Sequence, residues 1–455
     1  MRRPVGQYGN TARRVERRER SQPFAEPGSA GRERKATRGV RALALIDGEH
    51  YAPVVRAALE ELPYDFVVAH LVGGAEKLRD DADYGVPLAE SLDGGLDEHR
   101  PEVVVDLSDE PVLGPVERFR IASRVLVRGL PYIGADFRFD PPALEPFPLP
   151  SIGIVGTGKR VGKTAIAAHA AALLARDRKV VVVAMGRGGP PEPEVAEIPP
   201  MVEALLELSE AGRHAASDYL ETAALAGVPT VGCRRCGGGL AGAVFASNVA
   251  EGARKATELE PELVLFDGSG AAMPPVETRR RILVVNAQQD PAVVTGYLNE
   301  YRHLVSDLVV LTMAEEGSGW EELRDRVAEL APRVVGVVLR PRPVEPVEGR
   351  RVAFFSTAPA GAHDVFAAYL AEEHGAEVVH VSGNLADRAA LLRELETVDA
   401  EVFLVELKAA AIDVVASAGR DRGVEVVLSG SDVLAAPGEP DLDQELLRMA
   451  EEAAR

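Results

Sequence analysis

SIGIVGTGKRVGKTAIAAHAAALLA, residues 151–175, decides the fold. An apolar run at 152–155 breaks into a glycine-rich turn and then into an Ala- and Leu-rich stretch of helical character. That is the strand, loop and helix order that a phosphate-binding loop requires. Gly156, Gly158 and Gly162 let the backbone turn tightly enough for successive N–H groups to face one anion, and the helix start adds its dipole. Between and around them stand Thr157, Lys159, Arg160 and Val161. Lys163 is placed to reach the β- and γ-phosphates of ATP, and Thr164 to put its hydroxyl on Mg²⁺. The spacing departs from the strict G-x-x-x-x-G-K-[ST] pattern, because Thr157 stands five residues before Gly162 and the first glycine lies one place earlier. A chance glycine-rich turn is the bland alternative, and the coincidence of strand, glycines, Gly-Lys-Thr and helix argues against it.

The chain of 455 residues exceeds what one core usually holds. Apolar residues make up 46% and aromatics 5%, which suits α/β architecture built from Val, Ala and Leu. No apolar run reaches the length of a membrane span, and no secretory signal precedes the first strand. Two cysteines exclude a disulfide framework and fit a reducing cytoplasm. The net charge of −20 is uneven: residues 1–41 hold 12 Lys and Arg against 4 Asp and Glu, leaving 39 against 67, or −28, for the rest. Such a body repels nucleic acid and anionic membrane, so neither is expected as a partner. An anionic substrate would need a local basic pocket.

Outward from the loop, the periodicities divide the chain into four parts. Residues 1–40 read as a disordered basic extension, 41–147 as an N-terminal α/β domain, 148–345 as the P-loop ATP-binding domain and 346–455 as a C-terminal α/β domain. The fold class is α/β: a central parallel P-loop NTPase sheet flanked by smaller Rossmann-like segments. In the first of these, strands are expected at 42–46, 65–72 and 101–110, with helices over 53–62 and 115–127. Ligands sit at the carboxyl ends of such strands, where Asp47, Glu49, His50 and residues 106–110 fall. Arg120, Arg124 and Arg128 share one helical face, read first as a solvated stripe and second as a substrate contact. The proline-rich run 140–150 reads as a linker. Strand runs in 350–357, 376–383, 401–407 and 424–430 predict a further small parallel sheet, packed against the first domain.

Three segments of the central domain carry further candidates. KVVVVAMGRGGPPEPEV (179–195) places Arg187 and Gly188 at a strand end, suited to close approach of an anion. VGCRRCGGGLAG (231–242) holds a lone C-x-x-C, too few ligands for a tetrahedral zinc site. Arg234 and Arg235 followed by three glycines suggest an anion cradle, with a structural turn and a redox pair as the alternatives. ELVLFDGSGAAMPPVE (262–277) ends a strand on Asp267, the acidic partner expected for magnesium, with Gly268 and Gly270 leaving room for a γ-phosphate.

The loop GTGKRVGKT (156–164) is similar to that of dethiobiotin synthetase, in the class that includes the MinD and ParA ATPases. Asp-Gly-Ser-Gly at 267–270 resembles its Glu-Gly-Ala-Gly. The lysine typical of the MinD group would fall at Gly158, whereas this chain has Lys159. Taken together, ALIDGEHY near the start, the loop, VVAMGRGGPPEPEV and the Arg-Arg-Cys-Gly-Gly-Gly run resemble the cyclic 2,3-diphosphoglycerate synthetase family, from about Arg41 to the C-terminus. That resemblance implies ATP-dependent closure of 2,3-diphosphoglycerate to a cyclic pyrophosphate, with ADP and phosphate released. It implies Lys163, Asp267 and Arg187 as catalytic candidates, Thr164 and Asp267 for the metal, and His50, Arg187, Gly188, Arg234 and Arg235 for the substrate. The oligomeric state is open, a homodimer being one option. A kinase or ligase acting on another phosphorylated acid, such as a 2-phosphoglycerate kinase, and a MinD-like switch ATPase are the competing readings.

Overall fold

The computed structural model describes residues 39–74, 83–215, 217–409 and 411–455, so the basic extension at 1–38 lies outside the described residues. Residues 40–455 form one compact unit. Its N-terminal sheet has six described strands, in the order Leu88–Ala89, Tyr64–Leu71, Val40–Ile46, Val103–Asp106, Tyr132–Ile133, Arg138–Phe139. All neighbours are parallel except the last pair. The third expected strand is shorter than its apolar run, because Asp106 turns the chain: its Oδ1 accepts from Ser108 N at 2.9 Å. The stripe Arg120, Arg124 and Arg128, on helix Pro115–Val127 and its C-cap, is held by Glu117, Asp93 and Asp97. These are exposed ion pairs, so the stripe is solvated.

The phosphate-loop strand, Ser151–Gly156, lies near the middle of a second, much larger sheet. Leu263–Asp267 pairs with one side of it and Arg280–Asn286 with the other, both parallel. Val180–Gly186 and Thr230–Cys236 continue one way, and Leu308–Thr312 and Val334–Pro343 the other. Strands such as VVVVAMG are buried along their whole length, as a parallel sheet covered on both faces requires. The helix Lys163–Leu174 is apolar on nearly all sides for the same reason. It packs against helix Asp218–Ala226 and the C-terminal helix Leu442–Ala454.

The C-terminal strands do not form the separate sheet expected from the sequence. Strand Val334–Pro343 runs on past its P-loop neighbour and pairs antiparallel with Glu425–Ala435 from Val337↔Ala435 to Pro343↔Ser429. Val402–Glu406, Arg351–Phe355 and Glu377–Ser382 then add in parallel, giving one sheet of thirteen described strands. Phe355 and Phe403 accordingly share a core cluster with Ile166 and Leu174 of the phosphate-loop helix. The closing helix returns beneath the central strands, where Arg333 pairs with Glu452 at 3.0 Å and Arg279 donates to the Ala453 carbonyl at 2.9 Å. The proline-rich run is tied down as well: Glu145 N donates to Pro275 O and Glu145 O accepts from Glu277 N. Among the described residues no helix is long and apolar enough to cross a membrane.

Phe403 is fully buried in that shared cluster, so Phe403→Ala should cost about 3–5 kcal/mol of stability. In urea, circular dichroism and the fluorescence of Trp320, the sole tryptophan, should shift together, because one continuous sheet joins the core around Phe403 to the cluster around Trp320. Two separate transitions would contradict this.

Candidate active site

Gly162 takes φ +76°, and a Cβ there would meet Leu339 and Thr312 at 2.9–3.0 Å, so both the backbone turn and the close packing demand glycine. Neighbouring strands fix the rest of the loop. Thr157 N donates to Val284 O at 3.1 Å and its hydroxyl to Gln289 Oε1 at 3.0 Å. Asn286 Nδ2 donates to Arg160 O at 3.3 Å, and Thr312 Oγ1 to Val161 O at 2.9 Å. The loop therefore keeps its shape through contacts made outside itself. Lys159 and Arg160 are exposed, whereas Thr157, Gly158, Lys163 and Thr164 are half-buried at the helix start, where the first N–H groups have no intrahelical acceptor.

Lys163 Nζ lies 2.5 Å from Asp267 Oδ1, with side-chain exposures of 11% and 2%. Burial pushes the Asp267 carboxyl up to about 6 despite Lys163, and Asp218 adds to the rise. One lysine therefore does not fully offset the cost of burying this carboxylate. A hydroxyl and a carboxylate at this place form a hard oxygen donor set that suits Mg²⁺ bound together with nucleotide phosphates.

Arg187 and Arg235 converge beside this pair. Strand alternation sends Arg234 and Arg235 to opposite faces of Thr230–Cys236, so the two do not form one cradle. Arg234 is exposed. Arg235 reaches Ser269 O at 2.9 Å and Gly237 O at 2.8 Å, while its buried Nε has no partner. Burial lowers the Arg235 pKa, and the charge of Arg187 lowers it further. A Cβ on Gly270 would lie 3.9 Å from Arg187 Nη2, so Arg187, Arg235 and the turn after Asp267 meet in one place. Gly188 is exposed and abuts His214. Three residues apart on a strand, Cys233 and Cys236 also face opposite ways. Cys233 is buried under helix Val249–Glu258 with its thiol pushed up to about 12, and Cys236 is exposed; neither a redox pair nor a joint metal site results.

His50 is placed elsewhere. Its Nδ1 lies 2.8 Å from Asp47 Oδ1 and its Nε2 3.5 Å from Asp109 Oδ2, in a crevice of about 1380 Å³ at the carboxyl edge of the N-terminal sheet. Asp106, Asp109, Glu110 and Asp136 line that crevice against Arg118 and His50, a poor balance for a polyanion. Burial opposes ionisation of Asp47, but hydrogen bonds from Asp109 and His50 outweigh it and hold the carboxyl below its usual range.

The C-terminal strands bring in groups that no local motif marks. Lys408, just past strand Val402–Glu406, lies 4.0 Å from Glu221 Oε1 and 3.8 Å from Glu406 Oε2. Glu221 and Asp218 share the first turns of helix Asp218–Ala226, next to Gly186. Glu221 is 6% exposed, and burial raises its pKa to about 7 in spite of Lys408.

Three family models match this chain: the N-terminal domain of cyclic 2,3-diphosphoglycerate synthetase over 41–140, its P-loop domain over 151–338 and its C-terminal domain over 343–432. A protein of that name from Rubrobacter xylanophilus is 50% identical over 438 residues, covering 91% of this chain and 98% of the relative. The chain belongs to the cyclic 2,3-diphosphoglycerate synthetase family. Synthetases of the same name from Methanothermobacter thermautotrophicus and Pyrococcus horikoshii are 41% and 44% identical, covering 90% and 85% of this chain and 96% and 91% of theirs. The P-loop model spans both Lys163 and Asp267, and a P-loop domain supports ATP binding by this member of the synthetase family.

Glu221 gives a pH test. Its folded pKa of about 7 exceeds its ordinary 4.5, so its favourable contribution is full below 4.5 and is lost as pH rises through 7. The shift corresponds to about 3 kcal/mol. Glu221→Gln should flatten the fall in urea stability between pH 5 and 8; an unaltered slope would exclude Glu221 as its source.

Proposed function

We propose that the chain closes 2,3-diphosphoglycerate into its cyclic pyrophosphate at the expense of ATP, releasing ADP and phosphate. The observation that carries this reading is Arg235, held by two carbonyls against the turn after Asp267 with its Nε unpartnered and the exposed Arg187 close by. Two guanidiniums near each other beside a phosphate loop make a second anion site next to the nucleotide's own.

Lys163 is the group that meets the β- and γ-phosphates, exchanging its contact with Asp267 for them. Thr164 and Asp267 would hold Mg²⁺, which when bound neutralises charge on the transferring phosphoryl group. Arg187 and Arg235 orient the substrate, with exposed Arg234 and the glycines at 188 and 237–239 at the mouth. The γ-phosphorus is attacked by an oxygen of one substrate phosphate and ADP leaves. An oxygen of the other substrate phosphate then attacks the inner phosphorus of the new anhydride, expelling inorganic phosphate and closing the ring. Both attacking groups are already anionic, so no general base is needed. The protein's task is to bring two repelling phosphates together and neutralise them. The acidic body of the chain favours a small-molecule substrate drawn to this local basic patch over nucleic acid or an anionic membrane.

Phosphorus NMR of the protein with Mg-ATP and 2,3-diphosphoglycerate should show a cyclic pyrophosphate resonance rising with ADP and free phosphate. A linear phosphorylated product without free phosphate would point instead to a phosphotransferase acting on another acid. Lys163→Ala should abolish the transfer with circular dichroism unchanged; near-normal turnover would remove the loop from the mechanism. Arg235→Ala should raise the substrate KM or lower kcat more than Arg234→Ala does, with ATP affinity little altered.

A further inference from the structure

Arg302 is a buried cation that the phosphate chemistry leaves unused. It lies on the short helix Asn299–Leu304 and is 4% exposed. Its hydrogen bonds go to neutral oxygens: Nε and Nη2 donate to Ala271 O at 3.0 and 2.8 Å, and Nη1 to Leu298 O at 3.1 Å and Asn299 Oδ1 at 3.0 Å. Burial pushes its pKa down to about 10, opposed in part by Tyr301. A methionine would fill this space with no charge to desolvate. A guanidinium is the side chain that can aim two N–H groups at one carbonyl.

That carbonyl is the third of three in succession. Ser269 O accepts from Arg235 Nη2 at 2.9 Å, Gly270 O from Gly156 N at 3.1 Å, and Ala271 O from Arg302. Gly270, with φ +59°, gives the turn the widest backbone freedom at its centre. Fixing the Ala271 peptide plane restricts the two planes before it, and those two contact a substrate arginine and the first glycine of the phosphate loop. The helix that carries Arg302 is backed in turn by the N-terminal sheet's last long helix, through Phe119 stacked edge-on against Tyr297 with centroids 5.4 Å apart.

We propose that Arg302 is a positioning residue for the reaction: by anchoring the Ala271 carbonyl it sets the turn 268–273, and through that turn it holds Arg235 in register with the start of the phosphate loop. The kinetic consequence rests on the cyclisation reading; the structural one does not. Arg302→Lys keeps the charge but loses the two-donor contact, and should lower kcat about tenfold to a hundredfold with Mg-ATP affinity by calorimetry little changed. Because Arg302 acts through Arg235, adding Arg302→Lys to Arg235→Ala should cost far less than Arg302→Lys costs alone. Losses that simply multiply, or unchanged kcat, would reduce Arg302 to a structural residue and overturn the proposal. Hydrogen exchange supplies the arm that needs no turnover. The amides of Gly156 and of residues 268–273 should exchange about tenfold faster in Arg302→Lys, with strand Val180–Gly186 unchanged. Unchanged exchange overturns the anchor, whereas faster exchange in a protein that makes no cyclic product supports the anchor and sinks the cyclisation reading alone. If Arg302→Lys does not fold, Asn299→Ala, which removes the oxygen aiming Nη1, should show both effects in milder form, and no effect there counts against the proposal.

Discussion

An ammonium and a carboxylate 2.5 Å apart, with water almost excluded, are the interaction on which the rest depends. Lys163 begins a helix and Asp267 ends a strand more than a hundred residues later, so their meeting requires the strand order of the central sheet. A buried pair of this kind contributes little to stability, since desolvation consumes most of its attraction. In the proposed reaction the two groups are aimed at one point, where they would exchange each other for a phosphate and a cation. The contacts from Thr312, Gln289 and Asn286 hold the loop so that this exchange needs no refolding.

Charge is then managed by locality. The body of the chain is strongly acidic, yet around the loop it gathers Lys163, Arg187, Arg235 and, from the far end of the sequence, Lys408. Many surface arginines among the described residues are committed to carboxylates, as the stripe Arg120, Arg124 and Arg128 shows. Arg235 differs in having carbonyl partners and a second guanidinium beside it, an arrangement that an anion completes.

What could be read from the sequence was what neighbours along the chain determine. The glycines, Lys163 and Thr164 form one continuous segment, and Asp267 ends an apolar strand, so local pattern suffices for both. The same locality misled at Arg234 and Arg235, adjacent in sequence but on opposite faces because a strand alternates. His50 looked equivalent to the arginines because it follows a strand, but that strand belongs to another sheet with an acidic rim. The join between Val334–Pro343 and Glu425–Ala435 was invisible because antiparallel pairing across about ninety residues leaves no periodic trace, and each strand alone reads as part of a parallel set. Lys408, Glu221 and Arg302 were missed for a similar reason: their environments are made entirely by tertiary contacts.

The continuous sheet also bears on how the molecule comes into being. The phosphate-loop strand emerges early in synthesis, but its flanking strands, the long antiparallel join and the helix Leu442–Ala454 that seals its underside come much later. Contacts so distant in sequence form slowly, and those of the helix Leu442–Ala454 wait until that helix has left the ribosome. A nascent chain that has not yet reached this helix therefore carries the whole nucleotide motif with its floor missing.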